Sequence, residues 1–103
     1  MHIRMTYDAR KAQIDGALVN IANKPGGWTA ISFQNIASKC DCTHANITRY
    51  YRSAVKLRKH LFDLAVKGGH MRIIGQAIAA GYPAASKLAP TVRRAAIEAL
   101  LEA

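Results

Sequence analysis

Cys40-Asp41-Cys42-Thr43-His44 gathers two thiols, a carboxylate and an imidazole into five consecutive residues. Sulfur and nitrogen donors of this kind suit zinc, but a structural zinc site takes four ligands, commonly with two to four residues between paired cysteines. Here one residue separates the cysteines and no fourth ligand follows at a suitable interval. No metal or other cofactor is therefore expected. A disulfide across one intervening residue would be strained and would close almost no loop, so Cys40 and Cys42 read as reduced thiols in a cytoplasmic protein. The remaining histidines, His2, His60 and His70, are expected to stand apart from carboxylates, as surface or interface residues. The six acids, Asp8, Asp15, Asp41, Asp63, Glu98 and Glu102, are scattered along the chain. No pairing among these groups suggests acid–base catalysis. The sequence also lacks a phosphate-cradling glycine loop, an H-E-x-x-H pair and a G-x-S-x-G elbow, and no enzyme is expected.

The cations are organised where the acids are not. Fifteen Lys and Arg against six acids leave +9 over 103 residues. Residues 1–72 carry twelve of those cations against four Asp, a net of +8, whereas residues 73–103 carry a net of +1. Arg49, Arg52, Lys56, Arg58 and Lys59 fall within eleven residues that contain no acid. Such a run can be a solvated helix face, but its confinement to one part of the chain points to a polyanion partner, most often nucleic acid. No uncharged apolar run reaches eighteen residues, so no membrane partner is expected. The N-terminal segment has no apolar stretch of the kind a secretory signal needs.

These side chains need a scaffold, and the apolar spacing throughout is helical. Ile14, Ala17, Leu18 and Ile21 mark a first helix over about 8–23. Gly16 inside it weakens the helix by about 1 kcal/mol relative to Ala and suggests close packing there. Lys24-Pro25-Gly26-Gly27 ends that helix, and Trp28 is expected to fold back as a lid on the core. Ser32 caps a second helix, with Asn35 three residues on and Phe33, Ile36, Ala37 and Cys40 on one face. Thr43 caps a third, from His44 to about Tyr51, with Ile47 and Tyr51 inward. A fourth runs from near Ser53 to Lys67, and Gly68-Gly69 stops it. Two more stretches, 71–80 and 90–103, follow, the second opened by Pro90. The whole is expected to be a single all-α domain over 1–103, of five to six helices. The second and third helices, joined by a tight turn, form a helix-turn-helix.

The run Gly27-Trp28-(x3)-Ser32-Phe33-Gln34-Asn35-Ile36-Ala37-(x3)-Asp41-Cys42-Thr43-(x3)-Ile47-(x3)-Tyr51-(x5)-Leu57 resembles the N-terminal DNA-binding domain of TetR-type repressors. That pattern has Gly before the second helix, Ser or Thr at its cap, Ile-Ala inside it, a Gly-Val-Ser turn, then Leu-Tyr and Phe, and a downstream Leu. The spacing matches without a gap over residues 10–60. Residues 53–103 are also similar to the tail of small phage-encoded relatives. Three positions depart from the pattern. Asp41 stands at the turn Gly, Thr48 at a recognition-helix Tyr, and Ala54 at a Lys, with Arg52 and Lys56 nearby. The resemblance implies a TetR-like helix-turn-helix core over 8–67, followed by C-terminal helices over 70–103. About forty residues after the fourth helix are too few to enclose a drug-sized pocket, so no small-molecule inducer is expected.

In a helix-turn-helix the second helix enters the major groove of double-stranded DNA with its N-terminal residues at the base edges. With Ile47 and Tyr51 inward, His44, Ala45, Asn46, Thr48 and Arg49 face outward. Asn pairs with adenine and Arg with guanine, and an Ala can touch a thymine methyl. Tyr50, Arg52 and Lys56 are placed for phosphates, with Thr43 at the head of the recognition helix. Ser32, Gln34 and the N–H groups of the second helix approach the backbone from the other side. Two half-sites normally require a dimer, and the nearly neutral helices after residue 70 either form that dimer surface or complete the monomer core; the first is expected. Truncation after Gly69 is then expected to leave a helix-turn-helix that is at least partly folded. The expected function is a sequence-specific transcriptional regulator, a repressor on a palindromic operator. The alternative is a basic helical adaptor for another protein, such as a replication or DNA-packaging component. RNA binding is less well supported, because no aromatic stacking platform is evident.

Overall fold

Ser32, Thr43 and Ser53 each accept a hydrogen bond from the backbone N–H three residues on, at 3.1, 3.2 and 3.2 Å. Each thereby satisfies one of the orphan donors at a helix start. The computed structural model describes residues 7–40 and 43–102, with the side chains of Tyr7 and His44 excepted. In chain order the helices are α1 (Tyr7–Ala22), α2 (Gly27–Ala30), α3 (Phe33–Cys40), α4 (His44–Tyr51), α5 (Ala54–Gly68), α6 (Met71–Ala79) and α7 (Pro90–Leu101). A 3-10 turn spans Pro83–Lys87 between the last two. No strand occurs among the described residues, so the chain is all-α there. None of these helices is long and apolar enough to cross a membrane.

Six of these elements are the six stretches read from periodicity. The additions are α2 and the 3-10 turn, which are too short to carry a period. Trp28 does close over the core, at 2 % exposure, but it does so from within α2 rather than from a loop. The turn that feeds α2 is tight enough to require glycine. A Cβ on Gly27 would collide with the carbonyl oxygen of Ile21 and come within 2.7 Å of Ala22 Cα. At Gly16, by contrast, a Cβ would meet nothing within 4 Å. The close packing expected there is absent, because Gly16 lies on the exposed side of α1. The close approach falls instead at Gly75 in α6, where a Cβ would strike the carbonyl of Ala96 in α7.

The core joins Ile14 and Leu18 of α1, Ile36 of α3, Ile47 of α4 and Leu57 and Leu61 of α5 to Ile73 and Ile74 of α6. Gln76 of α6 is the buried polar member, and it is fully engaged. It accepts from the Trp28 N–H at 2.9 Å and donates through Nε2 to the carbonyls of Ala22 and Lys24, at 2.7 and 3.1 Å. One side chain thus supplies the backbone partners that the α1–α2 turn lacks. α6 is therefore part of the monomer core. α7, packed on α6 through buried Ala96, keeps Ile97 and Leu101 in solvent.

Candidate nucleic-acid interface

Two inward side chains one turn apart fix the rotation of α4. Ile47 is fully buried and Tyr51 is 5 % exposed. Ala45 and Arg49, also one turn apart, are exposed on the opposite side, and Asn46 and Thr48 are half-buried along its edges. Thr43 is exposed at the head of the helix, where its Oγ1 accepts from the Asn46 N–H. Its hydroxyl proton remains available to a phosphate oxygen. Asp41, Cys42 and the turn conformation expected at Asp41 lie outside the described residues, as does the side chain of His44.

Tyr51 is anchored by more than packing. Its hydroxyl donates to Asp15 Oδ1 on α1 at 2.7 Å, and His60 Nε2 on α5 meets the same oxygen at 2.8 Å. The Tyr51 and His60 rings lie against each other with centroids 4.9 Å apart. One carboxylate oxygen therefore ties α1, α4 and α5 together behind the exposed face. His60 does not stand apart from carboxylates, which corrects the expectation for it. Folding brings to it an acid 45 residues away.

The starts of α3 and α5 border one cleft of about 310 Å³, lined by Ser32, Phe33, Gln34, Ala54 and Arg58 among others. Ser32 and Gln34 are exposed there, and the capped N-termini of two helices open beside them. Such ends carry partial positive charge. Between α4 and α5 the chain turns within two residues. Arg52 takes φ 53° and ψ −36°, and it is the non-glycine residue with positive φ among those described. Its N–H donates to Thr48 O at 2.8 Å, and the Ser53 N–H donates to Tyr51 O at 2.5 Å. This i to i+2 bond makes a γ-turn of the rare positive-φ kind. The Arg52 side chain is exposed, as is that of Lys56 in the first turn of α5.

Not every cation of the basic run belongs to this face. The Arg58 guanidinium sits 5.3 Å from the Trp28 ring centroid and donates to the Trp28 carbonyl at 3.2 Å. It holds α2 to α5 by a cation–π contact and a hydrogen bond. Tyr50, placed among phosphate contacts from the sequence, is half-buried and packed against the core, with its ring centroid 6.4 Å from that of Tyr51. Sequence reasoning missed the Asp15–Tyr51–His60 tie. The available signal was Tyr51 itself, since a buried tyrosine hydroxyl usually finds a partner. Around Arg49, Arg52, Lys56 and Lys59 there is no acid from residue 42 to residue 62.

No protein-family model, curated protein or solved structure matches the chain.

Proposed function

We propose that the chain is a double-stranded DNA-binding transcriptional regulator that reads sequence with α4, as a TetR-like helix-turn-helix would, and acts as a repressor with two copies on a palindromic operator. The observation that carries this reading is the two-sidedness of α4. Ile47 and Tyr51 are buried, and Ala45 and Arg49 stand exposed on the opposite side. Arg49 and Ala45 occupy the crest that would lie along base edges, and Asn46 and Thr48 lie at its margins. Arg52, Lys56 and the hydroxyls of Ser32 and Thr43 supply phosphate contacts, with Gln34 beside them. The α3 and α5 N-termini add oriented N–H groups.

The test is footprinting of the full chain on the DNA flanking its own gene, with a scrambled duplex as reference. A protected palindrome, bound at least about a thousandfold more tightly than the scrambled duplex, is the expected result. Equal affinity for both duplexes would overturn sequence reading. No DNA binding at low salt would favour the adaptor, a reading that Val55, 80 % exposed at the start of α5, supports as an apolar contact point for a protein.

A further inference from the structure

Leu101 is 78 % and Ile97 41 % exposed on α7, and the geometry points to a second copy of this chain as their occupant, with the two α7 helices pairing antiparallel. Pro90, Arg94, Ile97 and Leu101 recur at i, i+4, i+7 and i+11 on the outward side, which makes one stripe along the helix. Pro90, Arg94 and Ile97, with Arg93 and Glu98, border a shallow cleft of about 300 Å³ that begins at the N-terminus of the helix. Leu101 stands exposed at the opposite end. Turned end for end, Leu101 of one copy enters the cleft of the other, and the exchange is mutual, as a two-fold interface requires.

The charges argue for the same orientation. Arg94, Glu98 and Glu102 follow one another at i+4 along one flank. This order runs against the helix dipole, which favours acids at the N-terminus and cations at the C-terminus. Arg preceding Glu at i, i+4 is also the weaker arrangement within a helix. Among the described residues no ion pair engages any of the three. In an antiparallel pair the same flank meets itself reversed, so Arg94 of each copy falls beside Glu98 of the other. α7 together with its C-cap Glu102 is also neutral, with Arg93 and Arg94 balancing Glu98 and Glu102, while the remainder of the chain carries the full +9. Most other faces would therefore repel a second copy.

A helix of twelve residues is about 18 Å long and offers less area than a standard interface. The pair therefore forms at high micromolar concentration in isolation and tightens when two copies share one DNA. This deepens the two-copy part of the DNA-binding reading and rests on that part alone. The pairing is measured without DNA, so a failure of DNA binding leaves it standing, and the reverse holds too.

The experiment is sedimentation equilibrium of the full chain at about 0.15 M salt, with circular dichroism confirming that each variant melts like the parent. The wild-type chain should approach a dimer with rising concentration. Arg94→Glu and Glu98→Arg should each weaken association about tenfold or more, because each places like charges opposite twice per dimer. The double variant R94E/E98R should recover to within about threefold. Leu101→Lys, an independent probe at an exposed position, should leave a monomer. A wild-type chain that stays monomeric throughout, a double variant no better than the singles, or a Leu101→Lys chain that still dimerises would overturn the proposal.

Discussion

The hydroxyl of Tyr51 and Oδ1 of Asp15, 2.7 Å apart, connect the helix proposed to read DNA with the first helix of the fold. Because His60 Nε2 shares that oxygen at 2.8 Å, the carboxylate is a three-way joint. Tyr51→Phe keeps the ring and its packing while removing the bond to a carboxylate acceptor, which should cost about 1.5–3 kcal/mol in chemical denaturation. Asp15→Ala removes both bonds and should cost more. The discriminating measurement is affinity for the operator in the folded variants. It should fall for both, although neither side chain lies on the exposed face of α4. Unchanged affinity with lowered stability would reduce the joint to a packing role.

Gln76 makes a second prediction. Gln76→Leu preserves bulk but strands the Trp28 N–H and the Ala22 carbonyl, both bonded at 2.9 Å or less. A buried polar group left without a partner costs about 1–3 kcal/mol, so the loss should be about 3 kcal/mol, read as a lower denaturant midpoint with an unchanged slope. For the same reason truncation after Gly69 should abolish cooperative unfolding, since it also removes Ile73, Ile74 and Ala77 from the core that holds Ile14 and Leu57. A cooperative transition in the truncated chain would show that α6 is dispensable.

The sequence-based expectation that a chain cut after Gly69 stays at least partly folded takes no account of the bonds that Gln76 makes. Ser32, Thr43 and Ser53 announce helix starts by a local mechanism that needs only the next three residues, so α3, α4 and α5 are readable from the chain. Ile47 and Tyr51 at one-turn spacing likewise fix which side of α4 is outward. Gln76, however, is an amide in an apolar helix, and its three partners lie 48 to 54 residues away. Nothing beside it in the sequence distinguishes a core amide from an exposed one. Arg58 reads as part of the basic run for the same reason, since Trp28 lies 30 residues before it. Contacts of that reach are properties of the packed fold.

Arg52 should separate stability from function. Its φ of 53° with ψ −36° puts an L side chain in a sparsely populated region where about 1–3 kcal/mol of strain accrues, and glycine relieves it at some cost in chain entropy. Arg52→Gly should therefore stabilise the protein by about 0.5–1 kcal/mol, or about 3–6 °C in melting temperature, while weakening DNA binding evenly across sequences. Its salt slope should drop by about one per protomer. A variant that melts higher and binds DNA as before would remove Arg52 from the interface.

Salt dependence tests the basic face as a whole. If each copy neutralises about three to five phosphates, log K against log salt should slope at roughly −5 to −9 for two copies. The concentration of +8 within residues 1–72 motivates that range. A nearly flat plot would favour a protein partner instead.

Arg49 and Lys56 distinguish reading from anchoring. Arg49 is exposed on the crest of α4, one turn past Ala45, and is the residue proposed to reach base edges. Lys56 is exposed in the first turn of α5, where Ser53 caps the helix, and is proposed to meet the DNA backbone as a point charge. Arg49→Ala should lower affinity for the operator by about 1–3 kcal/mol and relax preference at one position of each half-site, with a smaller effect on a scrambled duplex. Lys56→Ala should weaken both duplexes by the same factor. Both variants keep the buried side chains of α4 and α5, so their melting should match the parent. Titrating each against both duplexes at one salt concentration gives the comparison. If Arg49→Ala weakens the two equally, Arg49 is a backbone contact, and base reading passes to Asn46 and His44.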